Sequence, residues 1–448
     1  MKGVRSILDQ NAFRFDTQES TPTNLSRMVE KRLKTVGPTS VLFYQEPLHI
    51  VRGEGVWLYD DSGNRYLDVY NNVPSVGHCH QKVVDAVCRQ MAELNIHTRY
   101  LHGAIHEYIE RILDTMPSKL NRMVMTCTGS ESNDMALRLA RHWTKNHGVI
   151  VTEAAYHGNT SAVTEISPSS LKTSEPADHV FVIPISEMPQ APDEAKTWFL
   201  NKVREGIQTL NDRRYGCAAL IVDTIFSSDG VIADPAGFLK PSVELIQSKE
   251  SLFIADEVQP GFGRTGDNMW GFARHDVAPD IVTMGKPMGN GYPAAGIVTN
   301  DHLFASFNEE VGYFNTFGGS TAAVAAGSAV LDVIEEENLI ANSKEVGLYL
   351  KTRLTDLANE YEEVGAVRGA GLFVGLDFID PTLSGAPDPA KASKVINSLR
   401  QNGVLIGAAG KYGNTLKIRP PLCFENSHAD FFLNQMQRAI EETSPNFS

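Results

Sequence analysis

Short apolar runs alternate with longer stretches of helical spacing through the middle of the chain. The runs are Arg122–Thr126 (RMVMT), Val149–Thr152, Ala218–Val222 (AALIV), Leu252–Ala255 (LFIA) and Ile281–Met284 (IVTM). Each is four or five residues long and bounded by turn formers, as suits a strand buried on both faces. Apolar positions recur at helical spacing in Val83–Leu94, Ala104–Met116 and Met135–Lys145. Strands alternating with helices predict an α/β domain with a mostly parallel central sheet flanked by helices. Ligands of such sheets sit beyond the carboxyl ends of the strands. The residues that follow each run are therefore the ones to read for chemistry.

The two ends of the chain read differently. Alternation around DDSGN, residues 60–64, predicts two strands joined by a turn. Val364–Phe378 alternates again, after a helical pattern that starts near Ala323, and SGAPDP at 384–389 reads as a surface loop. A smaller α+β domain built from both ends is expected. The division is 1–75 for an N-terminal arm and part of the small domain, 76–325 for the large domain, and 326–448 for the C-terminal small domain. Residues 1–40 are polar and read as an arm.

Composition narrows the function. The chain has 448 residues, 42% hydrophobic and 21% charged, near globular averages. A formal net charge of −14 argues against a nucleic-acid surface. No apolar run approaches the ~18 residues of a membrane span. Five cysteines (Cys79, Cys88, Cys127, Cys217, Cys423) without a CxxC pair argue against a disulfide framework. A cytoplasmic protein is the expectation.

Five stretches carry candidate chemistry. IADEVQPGFGRTG (254–266) delivers Asp256 at a strand end, where a carboxylate either faces solvent or binds a protonated ring nitrogen. DIVTMGKPMGNGYPAAG (280–296) places Lys286 after a strand among Gly285, Gly289 and Gly291. A lysine in such a cleft loses solvation, and its neutral amine becomes a nucleophile toward carbonyls. TGSESND (128–134) is a helix start that either binds phosphate or is merely capped by Ser130 or Ser132. In AAYHGNT (154–160) Tyr156 either stacks on a flat cofactor or fills core, and NTFGGS (315–320) offers Thr316. His78 and His80 are spaced HxH but lack companions at ligand spacing, so no metal is expected.

In this order the five stretches resemble the class III (subgroup II) aminotransferases of pyridoxal-phosphate (PLP) fold type I, from about Leu48 to about Pro421. The resemblance implies pyridoxal 5'-phosphate held by Lys286 as a Schiff base. It implies that Asp256 pairs with the pyridine nitrogen, and that Val258 packs under the ring and Tyr156 over it. Gln259 would reach the ring hydroxyl, and Gly129 and Ser130 the phosphate. Thr316 would reach the phosphate of a neighbouring subunit's cofactor, which implies a homodimer with shared sites and leaves a tetramer open.

Several stretches are similar to the ethanolamine-phosphate phospho-lyase branch: YNNVPSVGHCH (70–80), LNIHTRYLH (94–102), LRLARHW (137–143), AYHGNTSAVTEISP (155–168) and LKIRPPLCF (416–424). Transaminases of the family carry Glu-Pro where this chain has Asp223-Thr224, and Asp223 could partly stand in for that glutamate. The branch implies loss of phosphate from a phosphorylated amine, with Arg419 binding either the leaving phosphate or a carboxylate. Tyr70 and Asn72 are candidates to line the pocket. The alternative is an aminotransferase that passes an amino group to a keto acid such as pyruvate or glyoxylate.

Overall fold

The computed structural model describes residues 12–13 and 23–444. Of the polar arm, a helix at Thr23–Thr35 is described. Three strands follow where alternation suggested two: β1 (Ile50–Glu54), β2 (Trp57–Asp60) and β3 (Arg65–Asp68). Gly55 has a φ of +56° and turns β1 into β2 within two residues, too tightly for the alternation to show a break. Asp60 Oδ1 closes the DDSGN turn by accepting from the backbone N–H of Ser62 and Asn64.

The central sheet has seven strands: β4 (Arg122–Thr126), β5 (Gly148–Thr152), β6 (Val180–Ile183), β7 (Cys217–Asp223), β8 (Leu252–Asp256), β9 (Ile281–Met284) and β10 (Ala295–Thr299). Their order is β4-β10-β9-β8-β7-β5-β6. All neighbours pair in parallel except at β10, which runs antiparallel to both β4 and β9. The inner strands β5 and β7 to β10 are buried on both faces, as their apolar runs require. The expected α/β class is therefore met. Two strands escaped the sequence pattern. β6 has interrupted burial, and β10 begins shortly after the glycine-rich turn of Lys286.

The C-terminal part contributes β11 (Val364–Ala370), β12 (Phe373–Asp380), β13 (Ala386–Pro387), β14 (Val404–Leu405), β15 (Gly407–Ala409) and β16 (Thr415–Ile418). The SGAPDP stretch thus holds a short strand, β13, and the start of a helix at Pro389. β14 pairs in parallel with β3, which ties the two ends of the chain into one sheet. The helix Thr321–Glu336 runs through position 326, so that boundary falls inside an element. β16 pairs with β12 and brings Lys417 and then Arg419 toward the central sheet.

Candidate active site

Asp256 is the last residue of β8 and is buried. Its Oδ2 accepts from Asn133 Nδ2 at 3.0 Å and lies 2.7 Å from His157 Nδ1. Its Oδ1 accepts from the Val258 N–H at 3.1 Å. Asn133 is itself fixed, accepting from Thr283 Oγ1 at 2.6 Å and donating to the His157 carbonyl at 2.7 Å. These bonds stabilise a carboxylate in a dry setting, where an isolated charge would cost several kcal/mol.

Lys286 follows β9 and Gly285, with a φ of +26°, sparsely populated for a side chain with Cβ. Its amine is pushed down to about 8, by desolvation first and then by the Arg419 charge, against the pull of Asp256 and Asp223. A lysine so shifted supplies free amine near neutral pH.

The helix Gly129–Thr144 begins with Thr128 as its cap, not Ser130 or Ser132. Thr128 Oγ1 accepts from the Glu131 N–H at 3.2 Å, and Glu131 returns a bond to the Thr128 N–H. With Thr128 capping, Ser130 is left for other work: its Oγ accepts from the Asn159 N–H at 3.1 Å. The helix start also carries partial positive charge.

One cavity of about 230 Å³ is lined by Gly129, Ser130, Tyr156, Asp256, Val258, Gln259 and Lys286. His157, Gly158 and Asp223 complete its wall. Sequence reasoning passed over His157 and Gly158 and weighed Asp223 only as a stand-in for the transaminase glutamate; the signal for His157 was a polar residue beside Tyr156 just past a strand end. Thr316 lies outside this cavity and is exposed, on the loop that also carries exposed Phe317.

Arg419 borders the site from the other side. Its guanidinium donates to Asn72 Oδ1 at 3.2 Å and to Gln259 Oε1, and stacks 4.6 Å from the Tyr70 ring centre. Lys417 was missed. It is 3% exposed, and its Nζ lies 3.4 Å from Ser227 Oγ. Burial, then the Arg419 charge, holds its amine well below the usual lysine range. Asp223 does not pair with Arg419: its carboxylate accepts from Ser227 and from the Ile225 N–H. Arg264 serves structure, donating to the carbonyls of Leu372 and Pro420. His78 is held by Asp68 at 2.7 Å and His80 by Glu337 at 3.0 Å. Among the described residues no group of three or more His, Cys, Asp or Glu is arranged for a metal.

The residues fit the cofactor that the sequence implied. The Gly129 and Gly158 positions form a cradle: a Cβ on Gly129 would stand 2.8 Å from Val258 Cγ2, and one on Gly158 2.5 Å from Ser130 Oγ. At the far end, a carboxylate fixed by three partners faces the same space as a deprotonatable amine. A flat pyridine ring carrying a phosphate and an aldehyde matches that donor set.

A family model described as Aminotransferase class-III matches residues 43–440. An "Alanine--glyoxylate aminotransferase 2-like" protein of Drosophila melanogaster is 38% identical over 421 residues, covering 90% of this chain and 85% of that one. An "Ethanolamine-phosphate phospho-lyase homolog 1" of Caenorhabditis elegans is 36% identical over 422 residues, covering 90% of each. A solved phospholyase from Arthrobacter in complex with phosphoethanolamine superposes with a TM-score of 0.88 at 41% identity, covering 92% of this chain and 99% of that chain.

Proposed function

The chain belongs to the class III aminotransferases, whose cofactor is pyridoxal 5'-phosphate, and from that premise we propose that it eliminates phosphate from a phosphorylated amino alcohol such as O-phosphoethanolamine. With water consumed, the products are an aldehyde, ammonia and phosphate. One observation carries the reading. Arg419 and Lys417 are 8% and 3% exposed, and among the described residues no carboxylate forms an ion pair with either. Burial and the Arg419 charge disfavour the protonated amine of Lys417, against the pull of Asp223 and Asp229, and an anionic ligand beside Arg419 favours that protonated form. A monocarboxylate answers the Arg419 charge alone; a phosphate dianion also holds a proton on Lys417.

The bound cofactor supplies an electron sink for the carbon that carries the amino group. Lys286, as free amine, takes the proton from that carbon and later returns one to the neighbouring carbon. Asp256 provides the counter-charge at the ring nitrogen, held in place by Asn133 and His157. Tyr156 and Val258 confine the ring, and Gly129 and Ser130 hold its phosphate. Arg419, with Lys417 behind it, draws the leaving phosphate away from the reacting carbons. Thr316 reaches the cofactor phosphate of a second copy in a homodimer, which also covers exposed Phe317 and Leu101. A monomer by light scattering would remove this element.

The deciding experiment incubates the purified holoenzyme with phosphoethanolamine and no keto acid. Equal release of phosphate and ammonia is expected. The aminotransferase reading, supported by the 38% identity to the Drosophila protein, is correct instead if nothing is released and an amino group passes to pyruvate or glyoxylate. Arg419→Gln tests the anion contact. Loss of a buried charged partner costs about 2–5 kcal/mol, so KM should rise about 30-fold or more with cofactor retention unchanged. An unaltered KM would exclude Arg419 from the phosphate contact.

A further inference from the structure

β15 and β16 pair as an antiparallel hairpin, Gly407 opposite Lys417 and Ala409 opposite Thr415. On a strand, residues two apart share a face. Lys417 and Arg419 therefore project together from the end of this hairpin toward the central sheet. Their placement depends on how the hairpin sits.

Its tip is fastened at three points. Lys411 Nζ lies 2.9 Å from Glu153 Oε2 and 3.3 Å from Ser186 Oγ. The Gly410 N–H donates to the Ser228 carbonyl at 2.9 Å. Glu153 follows β5, Ser186 follows β6 and Ser228 lies beyond β7. The tip is thus laid across the carboxyl ends of three adjacent strands. Glu153 is only 11% exposed at its side chain and is braced by the Ser186 N–H.

Packing around the tip is incomplete. A cavity of about 320 Å³ is lined by Lys411, Tyr412 and Thr415 of the hairpin and by Ile185, Met188 and Asp229 near the central sheet. Where atoms do not meet, dispersion contributes nothing. β12 holds the base of the hairpin through its pairing with β16, and the polar fastenings act on the tip.

We infer that Lys411 and Glu153 latch the β15–β16 hairpin to the central sheet and so position Lys417 and Arg419 for the anionic group of the substrate. Neither latch residue touches substrate; both are positioning residues. The inference rests on the proposal that these cations bind an anion.

Inorganic phosphate serves as probe, titrated calorimetrically into the holoenzyme. Lys411→Glu and Glu153→Lys should each weaken its affinity about three- to fivefold, the scale of a partly exposed ion pair. They should raise substrate KM by a similar factor and leave kcat within about twofold. The double exchange, Lys411→Glu with Glu153→Lys, should restore affinity, as a generic loss of packing would not. Single variants that bind phosphate as tightly as the unmodified protein overturn the latch. So does a double exchange no better than the single changes. If the unmodified holoenzyme binds no phosphate, the anion site fails, and the latch's purpose with it.

Discussion

Replacing Lys286 with alanine is expected to lower turnover by about four orders of magnitude or more, because one amine both captures the cofactor and moves the proton. The fold should survive. Lys286 lines a cavity rather than filling core, and its removal relieves an amine that desolvation already disfavours as a cation. The unmodified protein should hold the cofactor through residue 286 firmly enough for borohydride to fix it there, and the variant should not be labelled. Turnover by the variant above about a hundredth of the original rate would remove Lys286 as the base. The capture step also has a defined pH dependence. With the amine pushed down to about 8, its nucleophilic fraction grows about tenfold per pH unit below that value and levels off above it. The rate at which cofactor-free protein develops the bound-cofactor absorbance should follow that curve. A rate that keeps climbing to pH 10 would mean that the lysine is not desolvated as its surroundings indicate.

How much of this was legible beforehand follows from the geometry of a parallel sheet. Its strands are apolar throughout, so β4, β5, β7, β8 and β9 stand out as runs, and the polar residues after them fall at one edge of the sheet. That is why Asp256, Tyr156 and Lys286, far apart in the chain, could be read together. The pattern fails where burial is not symmetric. β6 sits at the sheet's edge, and its interrupted burial weakens the run. β10 opens on Ala295 and Gly296, runs antiparallel, and is separated from the Lys286 turn only by residues 290–294.

Supporting residues were harder still. Asn133 lies in the first turns of a helix, where an asparagine reads as a cap, yet it spans from Thr283 to Asp256. Nothing local in sequence announces a bond across 123 residues. Lys417 did leave a signal: LKIR sets two cations two apart on a strand, hence on one face. Reading Arg419 alone missed the pair, and with it the feature that favours a dianion.

The second large effect is expected at Asp256. Asparagine has nearly the same shape but no charge. It would also turn an amide against partners that all donate, since Asn133 Nδ2, His157 Nδ1 and the Val258 N–H each point at the carboxylate oxygens. One of those donors would face another donor in a buried setting, which costs about 1–3 kcal/mol on its own. His157 has little capacity to adjust, because its Nε2 is buried without a partner. The larger loss is electrostatic. Removing one member of a buried charge pair costs about 3–5 kcal/mol, which corresponds to two to four orders of magnitude in rate. Asp256→Asn should therefore depress kcat by about a thousandfold while KM for the phosphorylated amine changes little, since Arg419 and Lys417 hold the other end of the substrate. Substitution of His157 by glutamine should fall in between, because it weakens the brace and spares the charge. If Asp256→Asn keeps more than about a tenth of kcat, the carboxylate is not the counter-charge of the reacting ring. The acid would then be only a structural tie between β8 and the helix that carries Asn133.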